Sequence, residues 1–294
     1  MTQEEAFIQA IREAPADDAP RLIYADWLEE HGQADRAEFI RIQCRLARRS
    51  DSDANLVAAL AVALRSRADG LMRIHWNEWV GPLRDIVGPR RDRYGESWMG
   101  EEFQTAYRPH FVGGFVSMLS LDAERFVRRA ADLNRLTPLN TLNLWGAGNC
   151  ARALADTAEL KGLSTLAFPD YYDAPLKAAD ATAMAASPYL QGLSMLHLGR
   201  NDLGDEGVEA LAHAPWLLSV IWLDLTENGL SDRGARVLAD SPLLVNLRTL
   251  LLRRNAFSAA GISALTSSAN LRGLRRLEYD PPTANGLSVG NDAP

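Results

Sequence analysis

The residues that could carry chemistry are few and scattered. The five histidines, His31, His75, His110, His197 and His213, stand far apart with no H-E-x-x-H or H-x-x-H spacing. No pair is therefore set on one helix face to grip a metal. Cys44 and Cys150 form no C-x-x-C and no metal-ligand spacing, and read as free thiols of a reducing compartment. There is no G-x-x-x-x-G-K-[ST] loop, no G-x-S-x-G turn, and no G-x-G-x-x-G after an expected strand. Without a phosphate cradle or a nucleophile beside a base, the sequence predicts no enzyme, no cofactor and no metal. The densest polar and aromatic constellation is Arg21, Tyr24, Asp26 and Trp27, on one predicted helix. Residues three or four apart are neighbours on a helix surface. A motif for phosphate or a partner helix is conceivable there, but the expectation is a structural ion pair beside aromatic core residues.

Composition narrows the classes. Of 294 residues, 47% are apolar and 23% charged, the balance of an ordinary globular chain rather than a disordered or disulfide-stapled one. The longest uncharged apolar run, Leu56 to Leu64, is far short of the roughly 20 residues that span a bilayer. Met1-Thr2-Gln3-Glu4-Glu5 contains no apolar leader, so the expectation is a cytoplasmic protein with no membrane contact. A net charge of −7 argues against nucleic acid, whose binders carry a basic footprint. Arg36, Arg41, Arg45, Arg48 and Arg49, with Arg90, Arg91 and Arg93, could meet phosphates. Residues 1–114 nevertheless hold 15 Arg against 19 Asp plus Glu, so these arginines are expected to form a solvated helix face.

The informative signal is a repeat. Three copies align without gaps, Leu193 to Ser219, Val220 to Asn246 and Leu247 to Gly273, their leading residues 27 apart. Each opens L-x-x-L-x-L-x-x-N: Leu193/Leu196/Leu198/Asn201, Val220/Leu223/Leu225/Asn228, Leu247/Leu250/Leu252/Asn255. Each continues with an apolar residue (Leu203, Leu230, Phe257), a glycine (Gly207, Gly234, Gly261) and a leucine (Leu211, Leu238, Leu265). The L-x-L alternation has strand period and the second half has helical spacing. The turn asparagines Asn201, Asn228 and Asn255 sit where an amide can satisfy backbone groups that would otherwise be buried unpaired. No copy can bury its apolar face alone, so the copies stack.

This pattern resembles the leucine-rich repeat, and its length and G-x-x-x-L helix half resemble the ribonuclease-inhibitor type. Weaker copies begin at Val116/Leu119/Leu121, Leu139/Leu142/Leu144 and Leu163/Leu166/Phe168, with Ala147 and Tyr171 in place of asparagine. The segment Pro15-x-Asp17-Asp18-x-x-Arg21-Leu22-x-Tyr24-Ala25-Asp26-Trp27-Leu28-Glu29-Glu30-x-Gly32, followed by Arg36-Ala37-Glu38-Phe39-Ile40-Arg41-x-Gln43, is similar to the bacterial repeat-companion domain found upstream of such repeats. That resemblance implies an architecture and no settled activity. The expected fold is an α/β leucine-rich-repeat solenoid, parallel sheet on the concave face and helices on the convex face, behind a small all-α module. The expected organisation is a helical module over 1–80, an irregular connector over 81–114, the solenoid over 115–280 and a flexible tail over 281–294. Asp17 or Asp18 is expected to cap the second helix and Asp35 the third.

The outward side of the strands is where the repeat predicts a site. One column runs Met118, Thr141, Thr165, Met195, Trp222, Thr249, Arg276, and the next Ser120, Asn143, Ala167, His197, Asp224, Leu251, Glu278. A third includes Trp145, Thr226, Arg253 and Asp280, with Arg200, Glu227 and Arg254 one step on. Trp beside Met, Leu and mixed charge is the make-up of a protein-binding surface. The candidate partner-binding residues are Trp145, Met195, His197, Arg200, Trp222, Asp224, Glu227, Leu251, Arg253 and Arg254. The reading is a non-catalytic interaction or scaffold module that binds a protein partner, an inhibitor or sensor being its sharper form by analogy. The alternative is an enzyme or small-ligand pocket around Trp76 to Tyr107, between module and repeats. Strand Leu274 to Tyr279 at the end of the repeats could also pair with a second copy.

Overall fold

A computed structural model describes residues 1–48, 54–87, 110–169 and 174–281. The chain divides into two compact units, one of Met1–Arg90, Ser97–Leu119 and Arg129–Asn140, the other of Arg91–Glu96, Ser120–Arg128 and Thr141–Pro294. This division does not follow the boundary at 115 expected from sequence: the first half of one strand and the end of one helix group with the N-terminal helices. Most of the connector expected over 81–114, and of the tail expected over 281–294, lies outside the described residues.

The first unit contains helices α1 (Gln3–Glu13), α2 (Ala19–Glu30), α3 (Ala34–Ala47) and α4 (Ala54–Val87). The hairpin strands are β1 (His110–Val112) and β2 (Phe115–Asp122), of which Phe115–Leu119 belongs to this unit. Thr2 and Glu5 close a capping box on α1. Asp18 holds the N-cap position of α2 but makes no side-chain cap bond and pairs with Arg48 instead, while Asp17 accepts the Ala19 N–H at 2.9 Å. Asp35 does not cap α3, which starts one residue earlier, at Ala34; it lies in the first turn and meets His75 of α4. α4 runs past the expected end at Val80 to Val87, through Pro82, so the first seven residues of the expected connector are helix. Ile8, Ile11, Tyr24, Ala25, Leu28, Ala37, Ile40, Cys44 and Phe115 form one buried cluster. Phe39, Ile42, Ala68 and Leu71 form a second between α3 and α4.

Arg36 corrects the solvated-face expectation for α3. Its guanidinium lies 4.6 Å from the Trp79 ring centroid, 5.5 Å from Phe115 and 5.7 Å from Phe39. Its Nη1 has no hydrogen-bond partner, so attraction to three ring faces stands in for a carboxylate. Burial pulls its pKa down to about 10. The other cations of α3 behave as expected on the surface: Arg41 meets Asp26 and Glu29 at 2.6 and 2.7 Å.

The β1–β2 turn is Gly113-Gly114, both at positive φ (57° and 87°), a turn that glycine alone adopts without strain. The pair also lets the hairpin approach the helices. A Cβ on Gly113 would collide with the buried Arg21 side chain, and one on Gly114 would stand 2.8 Å from Ile40 Cα.

The second unit carries the repeats. Strands β3 (Thr141–Trp145), β4 (Thr165–Ala167), β5 (Met195–His197), β6 (Trp222–Asp224), β7 (Thr249–Leu251) and β8 (Arg276–Glu278) pair in chain order, every neighbour parallel. Helix α5 (Ala123–Leu136) precedes β3, and α6 (Ala151–Ala155), α7 (Ala178–Ala185), α8 (Gly204–Ala212), α9 (Asp232–Asp240) and α10 (Ala259–Ser267) alternate with the strands. Leu142, Leu166, Leu196, Leu223 and Leu250 are in register and at most 2% exposed, forming the inner face of the sheet.

The turn asparagines bond the buried backbone around them, Asn201 and Asn255 as donors and acceptors and Asn228 as a donor alone, its Oδ1 having no partner among the described residues. Asn255 Nδ2 donates to Leu252 O and Leu225 O, each at 2.9 Å, and its Oδ1 accepts the N–H of Asn228 and of Leu230 at 3.1 and 3.0 Å. Asn201 accepts the Leu176 N–H at 2.8 Å and donates to Leu198 O at 3.0 Å. Asn228 Nδ2 donates to Leu198 O at 2.8 Å. Each amide thus ties its own turn to the preceding copy. At Ala147 the weaker copy replaces the side chain with backbone: Gly148 N–H donates to Ala174 O at 3.1 Å and Cys150 N–H to Ala147 O at 3.0 Å.

Two stability outcomes follow. Asn255→Ala strands two buried acceptors and two donors, and should cost about 2–4 kcal/mol; the exposed Asn246→Ala, which loses one bond to Leu218 O, should cost under about 1 kcal/mol. Urea denaturation of both variants checks the difference. Gly114→Ala should cost about 3 kcal/mol, from strain plus collision with Ile40. Gly32→Ala, at φ 81° with open space around the new methyl, should cost only about 1 kcal/mol. Equal losses at the two glycines would show that the close approach contributes nothing.

Candidate binding face of the sheet

The side chains flanking the core leucines stand in the expected columns. Thr141, Thr165, Met195, Trp222, Thr249 and Arg276 are successive register partners, as are Asn143, Ala167, His197, Asp224, Leu251 and Glu278. Met195, His197, Trp222, Asp224 and Leu251 are half-buried, neither core nor free in water. The centre of the face is an aromatic contact across β5 and β6. His197 and Trp222 have ring centroids 4.0 Å apart with planes tilted by 38°. Burial holds the His197 pKa below its ordinary value, while the nearby Asp224 carboxylate partly opposes that shift. Asp224 is itself fixed, its Oδ1 accepting the Thr226 N–H at 2.9 Å.

Gly199 belongs to this arrangement, although the repeat pattern does not single it out. A Cβ there would stand 2.9 Å from Asp224 Oδ2, so the glycine leaves the room the carboxylate occupies. Its one trace in the sequence is the absence of a side chain in the column of Thr226 and Arg253.

Beyond the strands the chain turns through a left-handed residue in each copy: Arg200 (φ 64°), Glu227 (φ 58°) and Arg254 (φ 56°), directly before the three asparagines. Gly146, before Ala147, takes the same conformation at 69°. A left-handed residue with a Cβ is strained, and the asparagine bonds on its C-terminal side hold it there. The three side chains form a charge row: Arg200 Nε lies 3.2 Å and Arg254 Nη1 3.7 Å from Glu227 Oε2. Arg253 pairs with Glu278 at 2.9 Å, and Arg276 also meets Glu278. Trp145 lies half-buried on β3, at the start of the series.

The N-terminal constellation comes together only in part: the Tyr24 and Trp27 rings stack with centroids 5.9 Å apart. Arg21 is buried and donates to Asp17 O at 2.8 Å; Tyr24 donates to Glu4 at 2.5 Å, and burial pushes its pKa far up. Asp26 is on the surface with Arg41, and Trp27 stacks on His31 with centroids 4.1 Å apart. Arg21 and Asp26 form no ion pair with each other.

The repeat also contains a set of aspartates that its leucine and asparagine columns do not reveal. Asp205 accepts the N–H groups of Ser231 and Gly234 at 2.9 and 3.0 Å, together with the Ser231 hydroxyl. Asp232 repeats this one copy on, binding the Ser258 N–H at 2.8 Å and its hydroxyl, which hold its carboxyl below the usual range. A Cβ on Gly234 would come within 2.5 Å of Asp205 Oδ1, so the repeat glycine is the seat of its neighbour's aspartate. The 27-residue spacing of Asp205 and Asp232 is the signal in the sequence that could have found them.

Among the described residues no group of three or more His, Cys, Asp or Glu could hold a metal ion, and no helix is long and apolar enough to cross a membrane. Residues 193–212 and 223–239 match the family model described as leucine-rich repeat. The chain resembles the crystal structure of an internalin (inlF) from Listeria monocytogenes, at 14% identity and a TM-score of 0.33, over 58% of this chain and 51% of that one. It therefore spans about half the length of that internalin chain. No curated protein matches it.

The two perturbed histidines give a pH test. His75 of α4 sits 2.9 Å from Glu78 and 2.8 Å from Asp35, which raise its pKa above 6.5. Its contribution to stability is present below 6.5 and fades as pH rises through the folded value. His197 has the opposite sign: the unfolded state takes its proton more readily, so its contribution is lost as pH falls below 6.5. An imidazole NMR titration should place the His75 midpoint above 6.5 and the His197 midpoint below it. The reverse order would contradict both environments.

Proposed function

We propose that this leucine-rich-repeat protein is a non-catalytic interaction module, holding a protein partner on the concave face of its sheet. The observation that carries the reading is the tilted His197–Trp222 contact, half-buried on a surface with Met195 and Leu251 beside it. Aromatic anchors that are already partly dehydrated lose little on docking and gain apolar contact. Around them stand fixed charges of both signs: Asp224, the Arg200–Glu227–Arg254 row, and Arg253. These supply a polar rim that sets orientation more than strength. The rim is already oriented, because its turns are held left-handed by the asparagines, so little ordering is lost on binding.

The module acts by occupancy, as an inhibitor, sensor or scaffold, and performs no bond chemistry. The test is affinity capture from cell lysate by the intact chain beside the Trp222→Ala/Arg253→Ala double variant, both checked for folding by circular dichroism. A partner held by the intact chain should be lost by the variant, through a weakening of about thirtyfold or more. Equal retention by both would remove the binding site from this face.

A further inference from the structure

A second surface lies where the chain enters each strand. Two positions there recur in each copy, two residues before the leading leucine or valine and one residue after it. In the last three copies they are Leu218/Ile221, Val245/Arg248 and Arg272/Arg275, all exposed. In the two preceding copies they are Lys161/Ser164 and Gln191/Ser194. These positions hold no carboxylate at all, in a chain of net charge −7. Leu218, Ile221 and Val245 are 44%, 46% and 49% exposed, an unusual concentration of bare aliphatic surface.

The strip is continuous and rigid. Arg248 N–H donates to Ile221 O and Arg275 N–H to Arg248 O, each at 2.8 Å, so the three stand side by side on the ladder. Asn246 Nδ2 donates to Leu218 O at 2.9 Å and fixes the upstream residues likewise. Arg248 Nη1 lies along the backbone of the next copy, donating to Gly273 O at 3.0 Å. Among the described residues no carboxylate pairs with Arg248, Arg272 or Arg275, in contrast to Arg253 and Arg254 on the sheet face.

We propose that this strip is a docking site for an acidic, leucine-bearing peptide segment of a partner protein. Aliphatic side chains of the peptide cover Leu218, Ile221 and Val245, while its carboxylates meet Arg248, Arg272 and Arg275. A phosphate backbone would use the arginines but leave the aliphatic residues in water. A nucleic acid or an anionic bilayer would also meet the repulsion of a net −7 chain, whereas a peptide feels the local charge. The site is separate from the sheet face and stands or falls independently of it.

The experiment is fluorescence anisotropy on the full chain with a fluorescein-labelled short peptide of alternating Leu and Glu pairs. Control probes replace every Leu by Gly, or every Glu by Gln; a labelled single-stranded oligonucleotide and phosphatidylglycerol vesicles complete the set. The Leu–Glu peptide should bind, and each control should bind more weakly. The exposed double variants Arg272→Glu/Arg275→Glu and Leu218→Ser/Ile221→Ser should each weaken it by about tenfold or more, and Glu206→Gln, exposed on α8, should leave it unchanged. Equal or tighter binding of any control probe would overturn the proposal. So would no binding of the Leu–Glu peptide, unaltered affinity in either double variant, or loss of binding with Glu206→Gln.

Discussion

In the three regular copies each strand ends in a turn with buried polar backbone, and the turn asparagine supplies the partners that backbone needs. A buried N–H or C=O without a partner costs as much as a lost hydrogen bond. Asn255 alone satisfies four such groups, three in the preceding copy and one in its own. Because the bonds reach back into the preceding copy, they also set the register of one copy against the next. The same turns force Arg200, Glu227 and Arg254 into the left-handed region, and so line up their side chains. The core leucines supply the driving force for stacking, but the amides decide the alignment in which the outward columns form.

Why some of this is legible in the sequence and some is not has a physical explanation. A strand of period two, repeated at a fixed interval, says which side chains share a column, so the spacing alone places Met195, Trp222 and Thr249 together. The same copies hide the Asp205–Ser231 and Asp232–Ser258 bonds, because a carboxylate at the start of a helix reads as an ordinary exposed residue. Only the geometry shows that Gly234 and Gly261 are small to admit it. Gly199 is the equivalent case on the sheet: nothing in its own neighbourhood in sequence points to Asp224.

The N-terminal helices are harder to read, because their constraints come from residues distant in sequence. The charge pattern of α3 suggests that Arg36 faces water, yet its rings come from Phe39, from Trp79 in α4 and from Phe115 in β2. Asp35 sits where a cap is expected, but His75 claims it from forty residues away. The Gly113-Gly114 turn lies in a stretch with no periodicity, and its role becomes visible only beside Ile40 and Arg21.

The candidate face is accordingly a by-product of the stacking made useful by what occupies it. His197 and Trp222 share enough buried surface to shift the histidine, and Asp224 is positioned by Thr226 and the gap at Gly199. Met195, His197 and Trp222 are also among the side chains most readily oxidised, which makes the face directly readable by hydroxyl-radical footprinting with mass spectrometry of the free and partner-bound chain. The account requires oxidation of Met195, His197 and Trp222 to fall together on partner binding, while the helices α8, α9 and α10 keep their free-state pattern. Unchanged oxidation at those three residues, with shielding of the helical side instead, would contradict it.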